Sequence, residues 1–385
     1  MKKSSEIASS LNKKAIVALL REKGPMSKAD LSRALNLSFP AVSYNTKKLI
    51  EEHVICEIGT ADNALGRKGT LLAFNARLSY LAGADIGRNH IRAMCSDMGG
   101  TILAYRSREI RPGEDVIRQA AACIRAAAEE AGVEMADVAC LGIGTPGIYD
   151  PETDSLRFAP FAETWGKGIL QRLKSEFQTD IVIENSVNLG AIGERWKGEA
   201  NGFDDILYVD LGVGIGSAAL IDGTLIRGKN GAFGEIAYML LDKNRLPGSF
   251  SEEGALEKLI PSRRIGDLIA RFHQEESQTG IRSIIEQMKK SGEFPGIEDV
   301  PAYFAMSLAN TIAVTNPALL VIAGRLGCAP YRAYQEEIDS LIRQSVPFPP
   351  LIRCTGLSEK AGVYGAIAAA MLHSNASYTD FRQFI

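Results

Sequence analysis

Two rhythms of apolar and polar residues divide this chain. Up to about position 50 the apolar residues recur at helical spacing. The stretch from Asn12 to Glu22 puts Ile16, Leu19 and Leu20 on one face, and Gly24-Pro25 breaks it. Ser27 is a good N-cap for a second helix that runs through Leu35, with Asp30 at the capping-box position and Leu31 and Leu35 turned inward. Asn36-Leu37 makes a tight turn, and Ser38 caps a third helix in which Pro40 is tolerated in the first turn. This third helix is expected to bury Val42, Leu49 and Ile50 and to leave Ser43, Tyr44, Asn45, Lys47 and Lys48 to solvent. Residues 54–58 and 71–74 then read as two strands of a hairpin whose connection carries Gly66-Arg67-Lys68-Gly69.

From Tyr80 onward, apolar strands alternate with helices. Residues 81–87, 91–97 and 102–105 form a predicted three-strand meander, followed by a helix from about Glu114 to Ala131 and a strand at 138–144. A second meander recurs at 206–214, 216–221 and 224–226, and a further strand is expected at 318–324. Each meander opens on a strand that ends in an Asp-x-Gly turn, so the pattern predicts a duplicated α/β fold with a cleft between two lobes.

Composition adds limits. A chain of 385 residues with 46% hydrophobic and 23% charged positions suits a soluble protein of two or three domains. No apolar run approaches the roughly 18–20 residues that span a bilayer. The start, Met1-Lys2-Lys3-Ser4-Ser5, lacks the apolar core of a signal peptide, so a cytoplasmic protein without membrane contact is expected. The six cysteines (Cys56, Cys95, Cys123, Cys140, Cys328, Cys354) are scattered singly, which signals neither a disulfide framework nor a zinc knuckle and predicts reduced, buried thiols. Four widely spaced histidines make a metal site unexpected. Charge is uneven: residues 1–80 carry 13 Lys+Arg against 7 Asp+Glu, and the remainder 30 against 39. A basic head on an acidic body suggests a polyanionic partner for the head alone.

Two short helices joined by a tight turn, the second polar and basic, form a helix-turn-helix, and a strand, basic loop and strand after it make a winged helix. Lys47, Lys48, Tyr44 and the hydroxyls of Ser38 and Ser43 suit phosphate contacts with double-stranded operator DNA. Asn45 and Ser43 are candidates for reading base edges in the major groove. Arg67 and Lys68 at the hairpin tip suit the minor groove.

Over about Ala8 to Leu372 the chain resembles the ROK family (repressors, open reading frames, kinases), and in particular its repressor branch of xylose and N-acetylglucosamine repressors. The resemblance rests on Gly142-Ile143-Gly144-Thr145-Pro146-Gly147, Trp165-Gly166, Glu184-Asn185, Asn188, Gly193-Glu194, Gly212-Val213-Gly214-Ile215-Gly216, Gly234-Glu235 and Gly324-Arg325-Leu326-Gly327, in that order. It implies an N-terminal winged helix-turn-helix followed by a two-lobed actin/sugar-kinase-like (ribonuclease H-like) α/β domain. The expected division is 1–77 for the winged helix, 78–188 with a C-terminal helix at 358–373 for the first lobe, and 189–357 for the second. Where family kinases read Asp-x-Gly-Gly-Thr, this chain reads Asp85-Ile86-Gly87-Arg88-Asn89, and Ser186 stands at the position of the catalytic aspartate. Tyr238 falls on the family's zinc histidine, and Gly248 to Glu257 replace its cysteine run while keeping Gly254 and Glu257.

A hydroxyl cannot act as a general base near neutral pH without a partner base, and no histidine or carboxylate with an obvious claim to that role adjoins Ser186 in the sequence. No catalytic residue, metal or cofactor is therefore expected. What the cleft keeps suits a polyol: backbone groups of Thr145, Pro146 and Gly147, and the side chains of Asn185, Ser186, Glu235 and Glu257, with Tyr238 at a hydroxyl or stacked on the ring. Asn185 and Ser186 have a second use open to them, as caps of the following helix; for Trp165, core packing is expected. The resulting expectation is a sugar-responsive transcription regulator, a homodimer or homotetramer, with a bifunctional sugar kinase that also binds DNA as the alternative.

Overall fold

The computed structural model describes residues 2–62, 68–158, 162–212, 214–246, 249, 254–260, 283, 286, 290 and 299–374. The N-terminal unit comprises α1 (Lys2–Lys23), β1 (Met26–Ser27), α2 (Lys28–Leu35), α3 (Phe39–Glu51), β2 (Ile55–Asp62) and β3 (Lys68–Phe74). Its three strands lie in the order β1-β3-β2, all pairs antiparallel. Ile16, Val17, Leu20, Leu31, Val42, Leu49, Val54, Ile55 and Leu72 form the core. The capping box at Ser27 and Asp30 is present. Asn36 follows α2 in the left-handed conformation at φ 52°, as a helix C-terminus favours. Helix α1 begins ten residues before the stretch that periodicity marks. The extension is invisible to an apolar-face search because Ile7 and Leu11 are exposed on it.

After a 3-10 turn at Ala76–Leu78 come β4 (Tyr80–Ile86), β5 (His90–Asp97), β6 (Ile102–Glu109), α4 (Val116–Glu130) and β7 (Val138–Thr145). They are followed by β8 (Ile148–Asp150), β9 (Ser155–Arg157), α5 (Ala162–Trp165), α6 (Ile169–Glu176), β10 (Asp180–Asn185) and α7 (Ser186–Lys197). The second half holds β11 (Ile206–Leu211), β12 (Ile215–Ile221), β13 (Thr224–Leu225), α8 (Ala255–Leu259), α9 (Val300–Thr315) and β14 (Leu319–Ala323). It closes with α10 (Arg325–Ala333), α11 (Gln335–Ser345), β15 (Leu351–Cys354) and α12 (Ala361–His373).

The two five-stranded sheets have the orders β10-β7-β4-β5-β6 and β13-β12-β11-β14-β15. In each, the first three strands are an antiparallel meander, and the fourth and fifth add in parallel beside the first. The duplication expected from the two Asp-x-Gly strands is therefore a duplication of topology. Parallel additions need crossover helices, and α4, α6, α9 and α11 supply them. Trp165 lies in the core of the first lobe.

Helices α7 and α12 pack together. They approach closely because Gly193 and Gly365 face the partner backbone: an added Cβ would lie 2.1 Å from the Ala361 carbonyl oxygen and 1.8 Å from that of Leu189. Leu189, Ile192 and Trp196 of α7 join α12 on the first sheet, while Ala191 packs among residues of the second. Helix α7 is thus shared by both lobes, and the 188/189 boundary falls within it. Among the described residues no helix is long and apolar enough to cross a membrane.

Candidate functional site

The outer face of α3 carries the nucleic-acid candidates. Ser38 is the N-cap, its hydroxyl accepting from the Ala41 N–H at 3.4 Å. Tyr44 and Lys47 are exposed, and Ser43 and Lys48 are half-buried. The Lys48 ammonium sits 4.9 Å from the centre of the Tyr44 ring, and a hydrogen bond with the Tyr44 side chain raises its pKa. Lys68 begins β3, while Arg67 lies outside the described residues.

Asn45 is a correction. It is 2% exposed, its Nδ2 donates to the Ala41 carbonyl at 2.8 Å, and its Oδ1 accepts from the Ser9 hydroxyl at 2.7 Å. An amide so engaged joins α3 to α1 and cannot reach a base edge. Phe39 is the residue that sequence reasoning passed over. Spaced with Val42, Thr46 and Leu49, it belongs by periodicity to the buried stripe, yet as the first residue of α3 it is 54% exposed. An apolar ring on this end of the helix suits a thymine methyl.

The second cluster converges where the ends of β4, β7, β10 and β11 meet the start of α7. Asn185 ends β10 and is the N-cap of α7, its Oδ1 accepting from the N–H groups of Val187 (2.8 Å) and Asn188 (3.4 Å). Ser186 opens α7, and its hydroxyl donates to Asp85 Oδ1 at 2.6 Å. A carboxylate therefore does adjoin Ser186, contrary to the reading from sequence; it lies 101 positions away at the end of β4. Gly144 makes room, since a Cβ there would come 2.6 Å from Asp85 Oδ1 and 3.2 Å from Ser186 Oγ.

Asp85 and Asp210 end the first strands of the two meanders, and the duplication brings them face to face. Burial raises the Asp85 pKa, against the hydrogen bond from Ser186 and the charge of Arg92. Burial, and then the Asp85 charge, push Asp210 up to about 6. The Tyr208 hydroxyl donates to Asp210 at 3.4 Å.

The remaining candidates have these places. Thr145 is fully buried, and its hydroxyl donates to the Gly147 carbonyl at 3.0 Å and approaches that of Glu184 at 3.4 Å, so its side chain is a structural member of the turn. Pro146 is half-buried and Gly147 buried. Glu257 caps α8: Oε2 accepts from the Gly254 N–H at 3.1 Å, and Oε1 accepts from the Ile215 N–H at 3.2 Å. Both bonds come from backbone donors, so the carboxylate is fixed in direction with lone pairs to spare. Glu235 is exposed by area, yet its carboxyl pKa is raised, first by desolvation and then by the Glu257 charge. Tyr238 is half-buried against the core of the second lobe.

Two further residues cross the cleft. Glu184 Oε1 accepts from Asn188 Nδ2 at 2.9 Å and from the Asn185 N–H at 3.0 Å, while Oε2 meets Arg227 Nε at 2.8 Å. Arg227 follows β13 of the second lobe, so this ion pair straps the lobes together. Close by, Gly231 lies against Ile148 of the first lobe. A partner 43 positions away gives no signal in sequence, because only lobe closure creates it.

The residues do not fit the groups that a sugar-kinase fold implies. At the zinc position, Tyr238 packs on the core and Gly254 is pressed against the Ala237 carbonyl, where a Cβ would lie 2.1 Å away. Among the described residues no three His, Cys, Asp or Glu side chains converge as metal ligands. After β11, the Ile215 N–H meets the Glu257 carboxylate.

A DNA-binding winged helix beside a two-lobed, sugar-kinase-like body is the class this architecture defines. The chain belongs to the ROK family, whose model matches residues 81–373. A model for a winged helix-turn-helix DNA-binding domain matches residues 10–55. The chain is 24% identical to the xylose repressor of Caldicellulosiruptor bescii, over 93% of this chain and 94% of that protein. It is 26% identical to the Bacillus subtilis xylose repressor, over 81% of each. With the Escherichia coli transcriptional dual regulator NagC it shares 20% identity, over 83% of this chain and 82% of that one. Among solved structures, a ROK family transcriptional regulator homologous to the E. coli MLC protein superposes with TM-score 0.72 at 19% identity, covering 98% of both chains. The ROK hexokinase from Thermus thermophilus gives 0.61 at 24% identity, over 76% of this chain and 98% of that enzyme, and so shares the body alone.

Proposed function

We propose that this chain is a sugar-responsive transcription regulator that represses carbohydrate-utilisation genes, without sugar kinase activity. The observation that carries the reading is the course of α12. Its first turn holds Gly362, where a Cβ would come 2.6 Å from the Asp85 carboxylate in the cleft. Its last turn holds Met371, whose sulfur accepts from Arg21 at 3.5 Å. Arg21 belongs to α1 of the winged helix, and its guanidinium also lies 5.0 Å from the centre of the Phe74 ring. One rigid helix thus runs from the cleft to the DNA-binding unit.

In this reading a sugar, of the kind named for the xylose and N-acetylglucosamine repressors, lies against Asn185, Ser186, Glu235, Tyr238, Glu257 and the Thr145–Gly147 turn. Three units, 1–77, 78–188 with 358–373, and 189–357, move against one another as it binds. The protein acts as a homodimer or homotetramer on palindromic DNA, whose half-sites lie roughly 34–36 Å apart or a multiple of that. Ser38, Phe39, Ser43, Tyr44, Lys47 and Lys48 face the major groove, and Arg67 and Lys68 the minor groove. A lobe rotation carried through α12 spoils the match to the half-sites. The sugar must bind the released state better than the DNA-bound state, since only differential affinity shifts the equilibrium.

The test selects duplexes from a random-sequence library with the full chain, then titrates xylose, glucose and N-acetylglucosamine into the complex and follows fluorescence anisotropy. A sugar that lowers DNA affinity is expected. Recovery of no specific duplex sinks the DNA reading. A recovered duplex that no sugar releases sinks the effector reading.

The second reading is a bifunctional kinase, and the Asp85 carboxylate beside Ser186 is what favours it. We infer against it because Asp85 is buried behind Ser186 and the loop after β4 carries Arg88 and Asn89 where family kinases carry Gly-Thr. ATP turnover across the same sugars, rising in Ser186→Asp and lost in Ser186→Ala, would overturn that inference.

A further inference from the structure

The six cysteines look solitary in sequence, but the second lobe brings two of them together. Cys354 ends β15, and its Cα partner in the parallel ladder is Ile322 of β14. Cys328 lies in the first turns of α10, which starts just after β14, and its thiol donates to the Ile322 carbonyl at 3.2 Å. Because that same Ile322 is the ladder partner of Cys354, the two sulfurs are neighbours and interact. One helical turn beyond Cys328, on the same face, Arg332 hydrogen-bonds Cys354 from the solvent side. Both cysteines are partly accessible, whereas Cys95, Cys123 and Cys140 are buried.

We propose that Cys328 and Cys354 form a dithiol–disulfide centre that reacts with hydroperoxides, Cys354 as the attacking sulfur and Cys328 as the resolving one. Hydrogen bonding from Cys328, helped by the Arg332 charge, draws the Cys354 thiol below its ordinary value against the effect of burial. The same interaction pushes the Cys328 thiol up, which makes Cys354 the more acidic of the two. The other titratable group facing Cys354 is the Tyr331 phenol, which burial and its bond to Asp339 hold neutral. A low-pKa, accessible cysteine with a second thiol in contact is the arrangement redox-sensing cysteines share.

The chemistry balances with a hydroperoxide as oxidant. The Cys354 thiolate attacks the terminal peroxide oxygen and the O–O bond breaks, leaving a sulfenic acid on Cys354 and releasing hydroxide or alkoxide. The Cys328 sulfur then attacks the Cys354 sulfur, and the sulfenic hydroxyl leaves with the Cys328 proton as water. A disulfide results, and two electrons have passed to the peroxide. Reduction by a small thiol restores both side chains. In a reducing compartment, where structural disulfides are rare, such a bond is transient.

The test uses the full-length, reduced protein treated with hydrogen peroxide, blocked with N-ethylmaleimide and mapped by mass spectrometry. A single Cys328–Cys354 cross-linked peptide, reversed by dithiothreitol, is expected. Cys354 recovered as its maleimide adduct, or cross-linked elsewhere, overturns the proposal. In Cys328→Ser, Cys354 should instead be trapped by dimedone as the sulfenate; no adduct there overturns it as well. Iodoacetamide at pH 7 should modify Cys354 about tenfold faster than Cys56, and Arg332→Gln should remove most of that advantage. Equal rates at the two cysteines, or a rate unchanged by Arg332→Gln, count against the polarised pair.

Discussion

Asp210 shows how a single side chain in the cleft sets a pH dependence. Its folded pKa of about 6 lies above the ordinary 3.8, so between those values the folded chain holds a proton that the unfolded chain has released. The contribution of this one group to stability is therefore greatest below about pH 4, falls as pH rises toward 6, and is level above that. Asp210→Asn keeps an acceptor for Tyr208 while removing the charge. It should raise Tm at pH 7.5 by the equivalent of about 1–3 kcal/mol, with the gain fading near pH 4. Thermal melts at the two pH values check this, and an identical gain at both rejects it. Asn185 offers a control of another kind. Asn185→Ala removes the α7 cap and should cost about 1 kcal/mol in urea unfolding, whether or not the residue touches a sugar. A larger loss of sugar affinity than of stability would assign it the second role too.

At the scale of elements, α3 divides between a face that holds the domain together and an outer face proposed to meet DNA. Asn45→Ala should destabilise the winged helix by about 1–3 kcal/mol, because the Ser9 hydroxyl and Ala41 carbonyl lose their partner. The base preference of the surviving protein, measured by duplex selection, should stay the same. Lys47→Ala should leave stability unchanged while weakening DNA binding and reducing the salt slope by about one. An altered base preference in the first variant, or an unchanged salt slope in the second, would reverse these assignments.

The order of capped helices was legible because Ser27, Asp30 and Ser38 act within a few residues of themselves. The fate of Asn45 was not legible: whether an amide on a recognition helix faces DNA or α1 depends on how two helices cross. Phe39 fails in the opposite sense, since spacing assigns it to the core and the end of the packing surface exposes it.

At the scale of the whole molecule, the proposed coupling between cleft and winged helix runs through Arg21 and Met371. Arg21 is largely buried, and that burial draws its pKa down to about 10 against the charge of Asp97. At neutral pH it remains a cation, held among Phe74, Met371 and Asp97. Arg21→Met keeps much of its bulk and removes the charge. It should leave sugar binding intact in a thermal-shift assay and blunt the sugar's effect on DNA affinity. Full release of DNA by sugar in that variant would break the proposed route through α12. Arg227→Ala should act at the other end, opening the Glu184 strap and shifting sugar affinity several-fold with little change in the unfolding midpoint.

The local pattern of residues determined the winged helix, the two meanders and the missing kinase and zinc residues, because periodicity, caps and glycine turns act over a few positions. Tertiary structure decided which distant groups meet: Asp85 with Ser186 and Asp210, Glu184 with Arg227, Arg21 with Met371, and Cys328 with Cys354. Each of these contacts joins segments whose separation along the chain is unrelated to their distance in space. The Asp85–Asp210 and Glu184–Arg227 contacts exist only once two copies of one topology have packed around a shared helix.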